Sequence, residues 1–250
     1  MICLSVNVNK VATLRNSRGG DIPDVLTAVD TCIDAGAQGI TVHPREDQRH
    51  IKPKDVYEIA QRLKDINSKK DNKIEYNIEG DPRPELIDMV LDVRPTQCTL
   101  VPVVSGEITS HTVWDIQKDG DLLRPVITSL KNAGIRVSLF SGPDLEQIER
   151  TVDIGADRIE LYTAPYAMAQ TESEVAREFS LLKSAGEKAL DLGLGTNAGH
   201  DLNLDNLPLM QQLPGLLEVS IGHHLMADAL YIGLEAAVKA YRTALGQNIQ

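Results

Sequence analysis

Histidine side chains recur just after short apolar stretches of this 250-residue chain, where they could transfer protons. All six histidines follow predicted strands in this way: His43, His50, His111, His200, His223 and His224. Imidazole donates or accepts a proton near neutral pH, so this placement predicts general acid–base chemistry. Glu79 ends an apolar stretch as well, and we expect partial desolvation to raise its proton affinity and suit it to the role of a base.

Four arginines follow the first two predicted strands, although the formal net charge is −11: Arg15, Arg18, Arg45 and Arg49. Guanidinium groups bind phosphate by paired hydrogen bonds, so the cluster predicts an anion site, with plain surface charge as the alternative. Gly199 and Gly222 close the last two predicted strands, where backbone N–H groups could hold a phosphate. The alternative is that both glycines serve tight turns. Structural roles also remain open for His50, in a solvated loop, and for Glu79, as an ion-pair partner.

Short β-rich stretches alternate with longer stretches of helical periodicity along the chain. The predicted strands span residues 2–8, 39–43, 73–79, 97–102, 136–140, 158–163, 194–198 and 217–223. The predicted helices include 21–35, 53–66, 121–133, one that begins after Pro143 and one that begins at the capping box of Thr171 and Glu174. The amphipathic stretch 227–245 is predicted to close the barrel or to form an interface, and the polar stretch 103–118 is a candidate lid.

About eight strands that alternate with helices predict a TIM (β/α)8 barrel, formed by residues 1–250 as a single domain. The alternative is a doubly wound open sheet, which normally shows a glycine-rich turn after its first strand. Residues 7–15 follow the first strand here and contain no glycine. In a TIM barrel the carboxyl ends of the strands meet at one mouth, so the candidate residues above would share one site.

The composition excludes several classes of function. With 36 acidic and 25 basic residues and few aromatic ones, the chain lacks the basic face or stacking platform of a nucleic-acid-binding protein. No apolar stretch approaches the ~20 residues of a membrane span. Cys3, Cys32 and Cys98 are scattered, which predicts free thiols in the cytoplasm. No metal-ligand spacing occurs, so we predict no metal site.

Two long motifs carry a specific resemblance. Residues 7–19 (NVNKVATLRNSRG) and 39–51 (GITVHPREDQRHI) resemble the first- and second-strand signatures of the PdxJ family of pyridoxine 5′-phosphate synthases. The shorter motifs 77–79 (NIE), 100–102 (LVP), 137–140 (VSLF), 197–200 (NAGH) and 221–223 (IGH) follow in the family's order. The resemblance spans nearly the whole chain.

The resemblance implies a TIM barrel with extra helices that assembles as a homo-octamer. It implies a transferase-class, ring-forming condensation of two small phosphorylated substrates, 1-deoxy-D-xylulose 5-phosphate and 3-amino-2-oxopropyl phosphate, without a cofactor. The products are pyridoxine 5′-phosphate, phosphate and water. By the same resemblance His43 and Glu79 are proton acceptors and His200 is a proton donor. The implied contacts of the aminoketone phosphate are Asn7, Arg18, Gly222 and His223, and those of the deoxyxylulose phosphate are Arg45, His50 and Thr109.

Three residues depart from the family pattern. Asn9 and Lys10 stand where the family commonly has Asp-His, and Asp201 follows His200 where the family often has Gly. We expect Asn9 to hydrogen-bond a substrate hydroxyl, Lys10 to bind a phosphate and Asp201 to keep a backbone contact. Two alternatives stay open: an isomerase or aldolase of sugar phosphates that forms a Schiff base, and a non-catalytic protein that binds pyridoxine phosphate.

Overall fold

Eight parallel strands close a barrel in chain order in the computed structural model, which describes residues 1–104 and 109–248. The strands are β1 (Cys3–Asn7), β2 (Gly39–Val42), β3 (Glu75–Gly80), β4 (Gln97–Leu100), β5 (Arg136–Ser141), β6 (Arg158–Tyr162), β7 (Gly195–Gly199) and β8 (Leu216–Ile221). Strand β1 pairs with β8 and so closes the cylinder. The TIM-barrel prediction is confirmed, and each predicted strand is found within about two residues of its expected limits.

Helices surround the barrel and fill the connections between strands. They are α1 (Asn9–Asn16), α2 (Val25–Asp34), α3 (Pro53–Asn67), α4 (Pro84–Val93), α5 (Ile116–Asn132), α6 (Leu145–Asp153), α7 (Ala164–Ala167), α8 (Glu172–Asp191), α9 (Leu207–Met210), α10 (His223–Ile232) and α11 (Leu234–Ala244). Alternation of strand and helix lets each helix bury its apolar side against the barrel, as a TIM barrel requires.

The barrel interior is more polar than the apolar strand sequences predict. The hydroxyl groups of Ser5 and Thr41 lie 2.7 Å apart on neighbouring strands. The Thr99 hydroxyl donates a hydrogen bond to the Asn77 side-chain oxygen at 3.0 Å. Ile40, next to Thr41 in β2, is fully buried and by strand alternation faces the helix layer. The apolar residues therefore fix strands to helices, while their neighbours supply hydrogen-bonding groups inside the barrel.

Local sequence signals set the predicted starts of α6 and α8. The Asp144 side chain accepts hydrogen bonds from the backbone N–H groups of Glu146 and Gln147, as expected of an N-cap. The Thr171 side chain accepts from Glu174 N–H, and the Glu174 carboxylate accepts from Thr171 N–H in return. Both predicted helix starts are confirmed.

Other helices differ from their predicted limits. Helix α2 begins at Val25 rather than residue 21, because the Asp24 side chain caps it by accepting from Thr27 N–H at 2.6 Å. Helix α5 begins at residue 116 rather than 121, with Asp115 as its cap. The amphipathic stretch 227–245 contains parts of two helices, because Gly233 has a φ of 84° and separates α10 from α11. Residues 105–108 of the predicted lid lie outside the described residues.

Cys32 and Cys98 are buried free thiols as predicted, whereas Cys3 is partly exposed. Throughout residues 1–104 and 109–248, no helix is both long and apolar enough to cross a membrane.

Candidate active site

A cavity of about 460 Å³ opens at the carboxyl ends of the strands. It brings together twelve of the predicted site residues: Asn7, Asn9, Lys10, His43, Arg45, His50, Glu79, Thr109, His200, Asp201, Gly222 and His223. Of the other candidates, Arg49 and His224 also line it, whereas Arg15, Arg18, His111 and Gly199 do not. The twelve residues come from six different strand ends and the segments that follow them. The barrel topology therefore gathers side chains that are far apart in sequence around one space.

His43 follows β2 and is buried at the cavity wall. Its backbone N–H donates a hydrogen bond to the Asn9 side-chain oxygen at 2.9 Å. Its ring atom Nε2 is buried without a hydrogen-bond partner among the described residues. Burial lowers the pKa of His43 well below its ordinary value, and the nearby His50 and Arg45 lower it further. The imidazole is therefore neutral, as a proton acceptor must be.

Glu79 lies in β3 with its carboxyl group buried in the cavity floor. Asn7 donates a side-chain hydrogen bond to Glu79 Oε2 at 3.4 Å. Burial raises the pKa of Glu79 well above its ordinary value, and the neighbouring Glu160 and Glu218 add to the shift. The predicted desolvation is confirmed, and once deprotonated this carboxylate has a high affinity for a substrate proton.

Glu160 of β6 also lines the cavity, and it is not among the predicted site residues. Burial raises the pKa of Glu160 to about 8, with the charge of Glu218 contributing. Its atom Oε2 is buried and has no hydrogen-bond partner among the described residues. A single acidic residue in the apolar stretch of β6 is the signal that could have identified it.

His200 follows β7 in a left-handed backbone conformation, with a φ of 81°. The Thr163 hydroxyl lies 2.5 Å from the backbone oxygens of both Gly199 and His200 and holds this turn. Burial lowers the pKa of His200 to about 4, although the charge of Asp201 opposes the shift. The protonated ring is therefore a strong acid that gives up its proton readily.

One side of the cavity carries three cationic side chains, those of Lys10, Arg45 and Arg49, together with the imidazole rings of His50 and His223. His50 is buried rather than solvated, and burial lowers its pKa to about 4. The N-terminus of α10 begins at Gly222 and His223 and faces the same space, so its backbone N–H groups add positive potential. The arrangement suits a phosphate group.

Gly199 and Gly222 are required by close packing rather than by tight turns, since neither has a positive φ. A Cβ at Gly199 would lie 2.6 Å from Glu160 Oε1, and one at Gly222 would lie 3.1 Å from the Cβ of Asn7. Their small size lets neighbouring strands bring functional groups close together.

The predicted role of Arg15 in an anion site is wrong. Its guanidinium donates to both carboxylate oxygens of Asp55, at 2.6 and 2.8 Å, and is buried away from the cavity. Arg18 is exposed beyond the end of α1 and is not among the cavity residues, so its contact with substrate remains a prediction. Asp201 lines the cavity with a φ of 59° and lies 3.9 Å from His224 Nε2.

Lys10 is exposed at the start of α1, at the edge of the cavity. The alternative of a Schiff-base isomerase or aldolase predicts a lysine inside a strand, and Lys10 does not occupy such a position. Among residues 1–104 and 109–248, no group of three or more His, Cys, Asp or Glu side chains is placed to hold a metal ion.

The fold and the cavity define a TIM-barrel protein with buried titratable side chains and three cationic side chains at one mouth. The model of the family "Pyridoxal phosphate biosynthesis protein PdxJ" matches residues 4–247, and the chain belongs to this family. It is 48% identical over 246 residues to a pyridoxine 5′-phosphate synthase of Bacteroides fragilis, which covers 98% of this chain and 100% of the relative.

A pyridoxine 5′-phosphate synthase of Leptospira biflexa is 49% identical over 253 residues, covering 98% of this chain and 97% of the relative. Among solved structures, tryptophan synthase of Mycobacterium tuberculosis superposes with a TM-score of 0.67 at 10% identity, covering 99% of this chain and 93% of that one. That likeness shows the barrel fold alone.

Proposed function

We propose that the protein is a pyridoxine 5′-phosphate synthase that condenses 1-deoxy-D-xylulose 5-phosphate with 3-amino-2-oxopropyl phosphate. The observation that carries the proposal is the convergence of His43, Glu79 and His200 on one cavity. Ring formation needs several proton transfers at adjacent atoms, so more than one titratable group must reach the substrates. Relatives named for this activity cover 98% of the chain, which supports the assignment.

The cationic side and the N-terminus of α10 support the binding of two phosphorylated substrates. Gly222 and His223 would hold the phosphate of the aminoketone, with Asn7 and Arg18 as further contacts. Arg45, His50 and Thr109 would contact the deoxyxylulose phosphate, and Lys10 adds a cation at the cavity edge. Bound phosphates supply binding energy away from the reacting atoms and so orient two flexible molecules.

The amine of one substrate attacks the ketone of the other, and loss of water gives an imine. Neutral His43 accepts a proton at the cavity wall, and Glu79 accepts a second one once its own carboxyl proton has left. The His200 ring is neutral at pH 7 because of its low pKa, so it first takes up a proton released in the reaction and then donates it to a departing oxygen as a strong acid. Glu160, protonated at neutral pH, would donate a hydrogen bond to an oxygen that gains negative charge. Elimination of phosphate and closure of the ring, with the net loss of a second water, complete the product.

Purified protein mixed with both substrates tests this function. We expect pyridoxine 5′-phosphate, followed by absorbance, and inorganic phosphate in equal amounts, with neither formed when one substrate is omitted. His43→Ala should lower the rate by about 10²-fold or more. Glu85→Gln is the control, because Glu85 is exposed on α4. Failure of the wild-type protein to form product would contradict the proposal.

We further propose that the chain forms one domain and assembles as a homo-octamer, as the family resemblance implies. Three large apolar side chains at the end of α10 are exposed in the single chain and support self-association: Leu230, Tyr231 and Ile232. The free thiols of Cys3, Cys32 and Cys98 support a cytoplasmic location. Light scattering of the purified protein tests the octamer, and a monomer would contradict it.

A further inference from the structure

Three aromatic rings meet at the cavity rim. The His200 ring lies 5.2 Å, between centroids, from both Phe140 and Tyr162, and these two lie 5.4 Å from each other. Such separations are those of favourable aromatic contacts. Packing against the two rings restrains the orientation of the His200 ring.

His200 needs such support because its backbone is left-handed, a conformation that is costly for a residue with a Cβ. The Thr163 hydroxyl holds the backbone of this turn, but it does not contact the imidazole. The rings from β5 and β6 supply the missing restraint on the side chain. Because β5 and β6 are paired strands of the barrel, the barrel itself restrains the orientation of the His200 imidazole.

Tyr162 has a second contact at its other end. Its hydroxyl lies 2.9 Å from His111 Nδ1, within hydrogen-bond distance. His111 follows Thr109 by two residues, and Thr109 lines the cavity. The Tyr162 side chain thus contacts His200 through its ring and, through its hydroxyl, contacts His111 in the segment that contains Thr109.

We propose that Tyr162 is a positioning residue with two separate tasks. Its ring orients His200 for proton transfer, and its hydroxyl, through His111, keeps Thr109 over the bound substrate. The inference rests on the proposed function, in which His200 is the proton donor and Thr109 contacts 1-deoxy-D-xylulose 5-phosphate. The two tasks predict different kinetic effects. The orientation of His200 should affect kcat, whereas the position of Thr109 should affect the KM for 1-deoxy-D-xylulose 5-phosphate.

Tyr162→Leu removes the ring and should lower kcat by roughly 10- to 100-fold, because small misplacements of a reacting group are costly. Tyr162→Phe keeps the ring, so kcat should stay within about twofold of the wild-type value. The KM for 1-deoxy-D-xylulose 5-phosphate should rise about 2- to 10-fold, the range expected for the loss of one hydrogen bond. His111→Ala should raise the same KM equally. The double variant should lose less than the sum of the two single changes, because both remove the bond between Tyr162 and His111. Tyr57→Phe, at a residue of α3 that is 43% exposed and outside the cavity, is the matched control.

A measurement without substrates separates this inference from the proposed function. Histidine resonances of ¹⁵N-labelled protein should give His200 a pKa of about 4 in the wild type and a higher pKa in Tyr162→Leu, because the ring is then more solvated. The titratable groups that face His200 are Asp201, His111 and His43, and none of them is substituted in this variant. His111 loses its contact with the Tyr162 hydroxyl in both Tyr162→Leu and Tyr162→Phe, so Tyr162→Phe is the reference for the effect of the ring. Absence of product from the wild type would contradict the proposed function but leave this titration valid.

Wild-type kcat and an unchanged His200 titration in Tyr162→Leu would overturn the task of the ring. Additive effects of Tyr162→Phe and His111→Ala, or an unchanged KM, would overturn the task of the hydroxyl. Should Tyr162→Leu fail to fold by circular dichroism, Tyr162→Met fills more of the space and is judged by the same results.

Discussion

The side-chain oxygen of Asn9 accepts a hydrogen bond from the backbone N–H of His43 at 2.9 Å. The backbone N–H of Asn9 in turn donates to the Asn7 side-chain oxygen at 3.0 Å, and Asn7 donates to Glu79. Asn7 at the end of β1 and Asn9 just after it thus connect His43 and Glu79, the two proposed proton acceptors. This explains why an amide serves at position 9, where the resembling family commonly has an aspartate: the position needs an acceptor for His43, and both side chains provide one.

Asn9→Ala should lower kcat by about tenfold or more, because His43 loses the bond that fixes its backbone at the end of β2. Asn9→Asp is the matched control, since a carboxylate oxygen can accept the same hydrogen bond. We expect it to stay within about threefold of wild type. Steady-state kinetics with both substrates, and circular dichroism to verify folding, provide the measurement. Equal losses in both variants would contradict this role.

The buried ion pair of Arg15 and Asp55 should be essential for stability. Arg15→Ala leaves the Asp55 carboxylate buried without its charge partner, which should lower the free energy of unfolding by about 3–5 kcal/mol. Urea unfolding measures the effect.

Arg18→Ala is the comparison, because Arg18 is exposed three residues away. Its stability should change by less than about 0.5 kcal/mol, while the KM for 3-amino-2-oxopropyl phosphate should rise if the predicted contact exists. A stable Arg15→Ala protein would show that the buried pair contributes little.

Much of the fold could be predicted from the sequence because its signals are local. Apolar stretches of four to six residues define the strands, and capping residues such as Asp144 and Thr171 fix helix starts within one turn. Helix α1 could not be predicted in this way, because its start has no side-chain cap and its sequence is mostly polar. The division between α10 and α11 depends on a single glycine, Gly233, which an amphipathic pattern does not reveal.

The site was predictable as far as barrel topology determines it. Residues at strand ends, such as His43 and His200, had to share one mouth, and they do. The role of Arg15 was not predictable, because its partner Asp55 lies 40 residues away and only the folded chain brings them together. The environment of Glu160 was likewise hidden, since its neighbour Glu218 belongs to another strand.

The contribution of Glu160 to the free energy of unfolding should fall as pH rises from about 4.5 to about 8. Burial raises the pKa of Glu160 from 4.5 to about 8, so in this window the folded state keeps a proton that the unfolded state has lost. Glu160→Gln removes this contribution. Relative to wild type, the variant should gain up to a few kcal/mol between pH 5 and 8 and no more above that.

Urea unfolding of both proteins from pH 5 to 9 provides the comparison, and histidine contributions cancel in the difference. Glu85→Gln, on the exposed side of α4, should show no such trend. A constant difference between Glu160→Gln and wild type across this range would contradict the raised pKa.

Gly199→Ala should be destabilising by about 1–3 kcal/mol and should slow turnover, because the new Cβ would lie 2.6 Å from Glu160 Oε1 and displace that carboxyl group. Gly120→Ala in α5 is the control, since its Cβ would lie 3.6 Å from Ile154, at ordinary contact distance. We expect Gly120→Ala to be neutral or stabilising by up to about 1 kcal/mol. Thermal unfolding and kinetics test both, and a Gly199→Ala protein with wild-type properties would refute the packing argument.

The most direct test asks whether His43, Glu79 and His200 perform the chemistry in one cavity. Single-turnover formation of pyridoxine 5′-phosphate is measured in the wild type and in His43→Gln, Glu79→Gln and His200→Gln, with binding of 1-deoxy-D-xylulose 5-phosphate measured by calorimetry. We predict losses of about 10²- to 10⁴-fold in rate for each variant, with substrate binding largely retained. A wild-type rate in any one of the three folded variants would contradict the proposed shared role.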